Sequence, residues 1–439
     1  MKKLFCLFFI SMSIGAMEEK DKPIVLRSLS ELLSQKNIKK DFSINLVSEG
    51  LTSLEGIANA RFINKSKKFW KEEVHLLFIS HNFISHLPDE IGEFVALTNL
   101  WATHNCINNM SPQISRLTNL EHINLNYNRL EELPISAGFG FLKELGLQNN
   151  LLKKLPDLSY CSRLEVLHLN HNNLCNLTDE KGNIILPVSL ISLSVSNNKI
   201  TSLPKDITQL SRLMFIDISY NPLNELSIDG ESFTRLSNLN FSNCCIKKLS
   251  KSFGNIQYDG DNFLPFIINL SANQLSAMPA NFDKISGKFL VSLEKNCFTR
   301  IGKSLCKKLK YVTHLNLALN PIYEISLAIE LLQRLIYLDL SNCQIKKLPR
   351  ELNLCQLDTF KLNNNQLMEL PDAITQLTNL NSLQILDNHQ QLLTYIFDDK
   401  NNKAIFNFIQ RLRKQKNVQY GNPLRQLPTD MKREIYKHL

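Results

Sequence analysis

The sequence contains little of what marks several special classes of protein. Its 439 residues include only 14 glycines and 15 prolines, which excludes collagen-like and low-complexity chains. Ten cysteines are too few for a disulfide-held scaffold. They form no Cys-x-Cys or Cys-x-x-Cys pair, so structural zinc is not expected, and we expect mostly free, buried thiols. Only one apolar run exceeds about ten residues, which excludes a membrane protein with several spans.

The net charge is small along most of the chain, although that of the whole chain is +9. Residues 1–16 carry +2 and residues 396–439 carry +6, which leaves +1 for residues 17–395. A surface that binds phosphates along its length needs many Lys and Arg side chains. We therefore expect no nucleic-acid partner, and at most a weak contact of the 396–439 tail with an anionic surface.

The first sixteen residues have the pattern of an export signal. Lys2 and Lys3 precede an uncharged, largely apolar run from Leu4 to Ala16, which is too short to span a bilayer. The pattern predicts a signal peptide over 1–16 and an exported chain, periplasmic or secreted. The alternative is a buried N-terminal helix or strand.

One pattern recurs fifteen times over residues 42–395, mostly at spacings of 22–24 residues. An example is Leu120-x-x-Ile123-x-Leu125-x-x-Asn128-x-Leu130-x-x-Leu133-Pro134. We take the Asn as the origin of each repeat. Twelve origins are Asn: Asn82, Asn105, Asn128, Asn150, Asn172, Asn198, Asn221, Asn273, Asn296, Asn320, Asn365 and Asn388. The other three are Glu49, Cys244 and Cys343. The sites five and three before the origin, and two and five after it, are apolar in 59 of 60 cases, with Gln390 the exception.

This spacing predicts a short strand with one buried face in every repeat, because alternate side chains of a strand point to opposite faces. The Asn follows where the chain turns, and its amide both donates and accepts hydrogen bonds. We expect the twelve Asn to form a structural ladder, in which Cys partly replaces Asn through its S–H group. One repeat cannot bury its own apolar face, so stability comes from stacking neighbours.

The run from Leu370 to Leu380, with the sequence Leu-Pro-Asp-Ala-Ile-Thr-Gln-Leu-Thr-Asn-Leu, closely resembles leucine-rich repeats of about 23 residues. Repeats of that type occur in Ras-associated scaffold proteins and in bacterial effector and surface proteins. The resemblance implies an α/β solenoid, a horseshoe with a parallel concave sheet, about fifteen repeats and helical caps.

Two terminal segments are predicted to cover the ends of the solenoid. Residues 17–41 carry leucines at helical spacing and predict an N-terminal helical cap. Residues 396–439 predict a basic helical cap or tail, with an apolar stripe that includes Ile405, Phe408 and Ile409. The last segment, Leu427 to Leu439, weakly resembles the start of an F-box. The alternative is a terminal helix that docks on the cap.

The exposed strand positions, four, two and one residues before each origin, suggest a binding face. Neighbouring strands lie about 5 Å apart, so side chains in the same column stack. The predicted partner-binding residues are Phe78, His81, Trp101, His104, Tyr127, His168 and His171. Exposed aromatic side chains of this kind are typical of protein contacts. Two alternatives are lateral packing for stability alone and a metal site. We predict no metal, because no carboxylate or cysteine completes a ligand set in the sequence.

No catalytic motif is found in the chain. It lacks a P-loop, a His-Glu-x-x-His helix and a Gly-x-Ser-x-Gly elbow. It also lacks the Cys-x-Asp nucleophile of leucine-rich-repeat ubiquitin ligases. We therefore predict a secreted, monomeric, non-catalytic recognition module that needs no cofactor and binds a protein through its concave sheet. The alternatives are an effector adaptor that recruits host ubiquitin machinery through the C-terminal Leu-Pro helix, and an envelope-associated structural protein.

Overall fold

The computed structural model describes residues 43–59, 62–64, 67–69, 71–134, 139–226, 228, 233–256, 265–285, 287, 289–392, 403–414 and 418–419. The predicted signal peptide, the N-terminal cap and the F-box-like segment lie outside these residues. Among the described residues, no helix has the length and apolar character needed to cross a membrane.

Every repeat contributes one short strand to a single parallel sheet of sixteen strands, in which the spatial order follows the order of the chain. The strands are β1 Ser43–Asn45, β2 Leu76–Phe78, β3 Asn99–Trp101, β4 His122–Asn124, β5 Glu144–Gly146, β6 Val166–His168, β7 Ser192–Ser194, β8 Phe215–Asp217, β9 Asn238–Asn240, β10 Phe266–Asn269, β11 Phe289–Ser292, β12 Val312–Asn316, β13 Tyr337–Asp339, β14 Thr359–Lys361, β15 Ser382–Gln384 and β16 Val418–Gln419. Neighbours pair in register, so that Leu77 lies beside Leu100. This is the predicted leucine-rich-repeat solenoid.

The predicted core sites form one continuous hydrophobic core. Leu77 and Ile79 of the second repeat are fully buried, whereas Phe78 between them is half-buried. The same alternation holds in the other repeats, except that Gly146 and Asp339 are also buried. Of the sixty predicted sites, those described are buried except for Leu155, Leu203 and Gln390. The apolar period therefore predicts the buried face repeat by repeat.

The origin Asn side chains form a hydrogen-bond ladder along the solenoid. The Asn128 Nδ2 donates to the carbonyl oxygens of Leu125, at 3.0 Å, and of Ala102 in the preceding repeat, at 2.8 Å. Its Oδ1 accepts from the Ile107 N–H at 3.0 Å. Asn105 makes the same set of bonds one repeat earlier. Each amide thus joins two repeats through buried backbone groups that have no strand partner.

Cysteine replaces only the donor half of this ladder. The Cys343 Sγ donates to the Leu317 carbonyl at 3.6 Å and cannot supply the amide oxygen. In a repeat with Asn, the N–H at the position of Ile322 donates to that amide oxygen. Here the Ile322 N–H instead donates to the backbone carbonyl of Asn320, in the same repeat, at 2.8 Å. The other Cys repeat repeats this arrangement, with the Leu223 N–H bonded to its own Asn carbonyl. In both cases a proline, Pro321 or Pro222, follows the preceding Asn.

The convex side consists mainly of 3-10 helices. Proline occupies the N-cap position before Asp89–Glu93, Lys205–Gln209 and Asp372–Gln376. The other 3-10 helices are Ile57–Asn59, Lys71–Glu73, Pro112–Arg116, Lys251–Asn255, Phe282–Lys284 and Leu327–Leu331, and α1 is Lys303–Lys308. Short parallel pairs join His86–Leu87 to Asn109–Met110, Glu225–Leu226 to Lys248–Leu249, and Arg300–Ile301 to Glu324–Ile325. The long first repeat contains an antiparallel hairpin, Phe62–Asn64 with Lys67–Phe69.

The described part of the C-terminal segment is a helix followed by a strand. Helix α2, Lys403–Lys414, buries Ile405, Phe408 and Ile409 and lies against the 3-10 helix Asp372–Gln376. Strand β16 pairs in parallel with β15. This strand was not expected, because the segment was predicted to be a basic helical cap or tail. The assignment of α2 as a cap remains a prediction.

The cysteines differ in part from the expectation. All nine that the structure describes are free, but only four are buried: Cys161, Cys244, Cys306 and Cys343. Cys175, Cys245, Cys297 and Cys355 are exposed. These four lie in loops where the repeat pattern requires no apolar side chain, so the expectation of buried thiols was wrong for them.

Candidate recognition surface on the concave sheet

Five of the seven predicted binding residues form one cluster at the N-terminal end of the concave sheet. We call Phe78, His81, Trp101, His104 and Tyr127 the aromatic cluster. The register of β2 and β3 places Phe78 directly beside Trp101, with ring centroids 5.9 Å apart and planes tilted by 50°. These two rings therefore lie side by side, as expected from the column, but they are tilted and not stacked.

The other three rings of the aromatic cluster form a parallel stack. The centroids of His81 and His104 are 4.5 Å apart, with 11° between the ring planes. His104 and Tyr127 are 4.3 Å apart, with 15° between the planes. Each such pair of rings contributes about 0.5–1.5 kcal/mol of stability beyond that from buried area. Lateral packing is thus real, but Trp101 and Tyr127 still expose 40% and 45% of their surface, which is available to a partner.

The stacked residues have a left-handed backbone that the sequence reasoning did not anticipate. The residue before the origin has a positive φ in all fifteen repeats, for example 57° at His81, 54° at His104 and 58° at Tyr127. Asn occupies this site in five repeats: Asn149, Asn197, Asn243, Asn342 and Asn364. Asn and His tolerate the left-handed region better than most side chains. The frequent Asn was the signal that could have predicted it.

Backbone hydrogen bonds hold the turns that carry three of these rings. The N–H groups of His81, His104 and Tyr127 donate to the carbonyls of Thr103, Asn126 and Gln148, at 2.8–3.0 Å. Each of these carbonyls belongs to the next repeat. The turn that presents each of these three rings is therefore bonded to the next repeat, which orders the backbone beneath them before any partner binds.

The remaining two predicted residues lie apart from the aromatic cluster. His168 is half-buried on β6, where it registers with Gly146 and not with a ring. His171 is exposed in the left-handed column, and Asn149 separates it from Tyr127 in the order of repeats. The structure does not bring these two histidines into contact with the other five residues.

A carboxylate lies among the concave histidines, contrary to the sequence analysis. The Glu144 Oε2 is 3.4 Å from the His122 Nδ1. The hydrogen bond from His122 is the main cause that lowers the pKa of Glu144, and the charges of His168 and His122 also contribute, against burial. Burial lowers the pKa of His168, and Glu144 opposes this shift. Glu144 was missed because the column six residues before the origin was not counted as part of the face.

These three residues do not form a metal site. Within the described ranges, no group of three or more His, Cys, Asp or Glu side chains is placed to hold a metal ion. A second residue missed by the sequence analysis is Phe83, which is 46% exposed and lies one residue after its repeat origin. It extends the apolar surface at the loop edge of the second repeat.

The polar side chains of the face largely make hydrogen bonds to backbone N–H groups of the same or the next repeat. The Asn126 Oδ1 accepts from the Gln148 N–H at 2.7 Å, and the Asn170 Oδ1 accepts from the Ser196 N–H at 3.0 Å. In later repeats the Asn269 Oδ1 accepts from both the N–H and the hydroxyl of Ser271. Because these amides are engaged at the strand ends, the aromatic cluster is the better source of binding energy.

Comparison with known proteins identifies the family. The Leucine Rich Repeat family profile matches residues 189–210 and 334–355. Lumican of Oryctolagus cuniculus is 30% identical over 172 residues, which cover 38% of this chain and 75% of lumican. An adenylate cyclase of Schizosaccharomyces pombe is 27% identical over 285 residues, or 60% of this chain, but the chain spans only 16% of its length. The chain belongs to the leucine-rich-repeat family.

Solved structures agree with this fold. A leucine-rich-repeat protein of Leptospira interrogans has a TM-score of 0.58 and 24% identity, covering 90% of this chain and 98% of its own. A chain of the LRIM1/APL1C complex has a TM-score of 0.59 and 20% identity, covering 71% of this chain and 56% of its own. The fold is that of a protein-binding module, and proteins of this family are typically non-catalytic.

Proposed function

We propose that this protein is an exported recognition module that binds a protein partner through the aromatic cluster. The main support is the stack of His81, His104 and Tyr127 together with the tilted pair of Phe78 and Trp101, in which Trp101 and Tyr127 remain 40% and 45% exposed. Large aromatic side chains on a preorganised surface provide contact area at low entropic cost. The LRIM1/APL1C complex shows that a related solenoid assembles with another protein.

Export is proposed from the N-terminal sequence alone. Lys2 and Lys3 followed by the apolar run to Ala16 have the organisation of a cleaved signal. Fractionation of cells that express the full chain, or a chain without residues 2–16, tests this. Export of the full chain alone supports the proposal, whereas equal distribution of the two chains contradicts it.

The binding proposal is tested by affinity capture with matched variants. The test variant is Trp101→Ala/Tyr127→Asn, in which Asn is chosen because other repeats carry it at the left-handed site. The control is Tyr160→Ala, which removes an aromatic side chain that is 65% exposed and lies outside the sheet. The captured partner is then purified, and its affinity is measured.

Loss of two central anchors is expected to weaken binding by at least about 30-fold, since a hot-spot residue contributes about 2 kcal/mol or more. The Tyr160→Ala control should bind as the unmodified chain does. Equal binding by all three proteins would contradict a site on the aromatic cluster.

A further inference from the structure

The concave face of the first ten repeats contains no permanently positive side chain. Four columns face this side, at six, four, two and one residues before each origin, which gives forty positions in ten repeats. None of them is Lys or Arg, although the chain has 50 such residues among 439, so about four or five would be expected. The first is Lys295, in the eleventh repeat.

The charges that the face does carry are acidic or titratable. Its carboxylates are Glu144 and Asp217, and its histidines are His81, His104, His122, His168 and His171. These are five of the ten histidines in the chain. With the histidines neutral, the face has a charge of −2, and with all five protonated it has +3. Its sign therefore depends on pH, while the rest of the chain stays positive.

The surroundings of the carboxylates favour their charged form. Glu144 lies between His122 and His168, and its pKa is lowered by the hydrogen bond from His122. Beside it, Lys143 is paired with Glu121 at 2.6 Å, which leaves little net charge at that edge. The Asp217 Oδ1 accepts from the Ser219 N–H at 3.0 Å and from its hydroxyl at 2.7 Å.

The neighbouring rings can hold a cation as well. A Lys or Arg group over the face of Trp or Tyr within about 6 Å is attracted by the ring quadrupole, with about 0.5–2 kcal/mol. Trp101 is partly exposed next to a surface that has no cation of its own. A partner that presents Lys or Arg would find rings and carboxylates on one face and no repulsion from it.

We propose, resting on the proposed function, that the concave face of repeats two to eight recognises a protein surface rich in Lys or Arg at neutral pH. Protonation of its five histidines reverses the charge of the face and releases that partner. The face is thus both the specificity determinant and the pH-sensitive element.

The groups that face each histidine determine the pH range over which the charge of the concave face changes. His81 and His104 face each other in the stack at 4.5 Å, and Tyr127 covers the other side of His104. His122 and His168 face Glu144, and the pair Lys143–Glu121 lies next to them. His171 has Asn149 and Asn197 in the adjacent repeats of its column. Burial, and the charge of His81, lower the pKa of His104, and burial lowers that of His168. These two histidines therefore charge below the ordinary value of about 6.5.

Quenching of the Trp101 fluorescence measures the sign of the local potential directly. The chain has two tryptophans, and Trp70→Phe leaves Trp101 as the reporter. The difference between the unmodified chain and Trp101→Phe gives the same signal without altering residue 70. Caesium, iodide and neutral acrylamide are used as quenchers at pH 7.5 and pH 5.0, with folding checked by circular dichroism.

The ratio of caesium to iodide quenching, normalised to acrylamide, should fall at least about threefold between pH 7.5 and 5.0, because histidines in the same and the neighbouring repeats gain positive charge within roughly a Debye length of the ring. The variant His81→Asn/His104→Asn/His171→Asn uses the residue that other repeats carry at this site and should show less than half of that change. A ratio that does not change with pH, or that favours iodide at pH 7.5, overturns the proposal.

A peptide probe tests recognition itself. Fluorescein-labelled (Lys-Gly-Ser)4 should bind the full chain at pH 7.5 and be released at pH 5.0, whereas (Glu-Gly-Ser)4 should not bind at pH 7.5. The variant Glu144→Gln/Asp217→Asn should lose the lysine peptide. Since the chain is positive overall, binding of a cationic peptide requires a local acidic site.

If partner capture depends on Trp101 and Tyr127 but neither peptide nor quenching responds as described, the proposed function stands and the charge inference is wrong. If quenching responds but capture does not depend on these rings, the proposed function fails by itself.

Discussion

Asn150 allows a test of whether Cys at a ladder position depends on proline after the Asn of the preceding repeat. Its Nδ2 donates to the Leu125 and Leu147 carbonyls at 3.0 and 3.1 Å, and its Oδ1 accepts from the Leu130 N–H at 3.0 Å. Both carbonyls also accept from a neighbouring ladder Asn, Leu125 from Asn128 and Leu147 from Asn172. In Asn150→Cys each carbonyl therefore keeps a donor, and the Leu130 N–H alone loses its acceptor.

An orphaned buried N–H costs about 1–3 kcal/mol, so Asn150→Cys should lower the free energy of unfolding by about 2 kcal/mol. The natural Cys repeats follow an Asn-Pro sequence, where the corresponding N–H bonds to its own Asn carbonyl. Adding Arg129→Pro should therefore recover about 1 kcal/mol relative to the sum of the single changes.

Urea unfolding of the two single variants and the double variant measures this coupling, and hydrogen exchange of the Leu130 amide reports the affected bond itself. Exchange should accelerate in Asn150→Cys and slow again in the double variant. Strictly additive free energies, together with unchanged exchange at Leu130, would refute this account of the Cys positions.

Three further outcomes follow from the described geometry. Gly254→Ala should destabilise by more than about 2 kcal/mol, because the added Cβ would lie 2.3 Å from the Asn281 carbonyl carbon, whereas Gly140→Ala meets nothing within 4 Å and should be neutral in the same urea titration. Because the folded-state pKa values of His104 and His168 are lowered, the unfolded chain binds more protons below about pH 6.5. Stability should therefore fall between pH 7.5 and 5.5, and His104→Asn should reduce the drop in melting temperature, so a larger drop would contradict the assignment. Burial raises the pKa of Cys161 and Cys343 to about 11, and that of Cys244 and Cys306 to about 12. These four thiols should react with iodoacetamide at pH 8 far more slowly than the exposed ones, as peptide mapping would show, and equal rates would indicate local opening.

The sequence predicts the buried part of this molecule well because burial imposes a strict period. Leu77 and Ile79 could be assigned to the core from spacing alone, and the stack of His81, His104 and Tyr127 followed from placing equal positions side by side. The ladder Asn could be predicted for the same reason, since only a side chain that donates and accepts serves both repeats.

The features that the sequence did not predict depend on properties that the spacing of apolar residues does not encode. The left-handed backbone at His81 comes from the turn after the strand, where the side chain of His81 itself is exposed and lies outside the apolar period. Glu144 lies on the concave face because the strand begins one residue earlier than the Leu-x-Leu core requires. Strand β16 forms because an edge of the sheet remains available after β15, which the composition of residues 418–419 does not reveal.

In the column of residues with a left-handed backbone, one residue per repeat determines how long the ring stack is. Its side chains in the second to sixth repeats are His81, His104, Tyr127, Asn149 and His171, all with nearly the same φ. Asn149 alone interrupts an otherwise continuous series of rings. Replacing Asn149 by His would join five rings over four repeat spacings, or about 20 Å. A contact surface of this kind can thus lengthen or shorten in steps of one repeat, while the hydrophobic core beneath it stays the same.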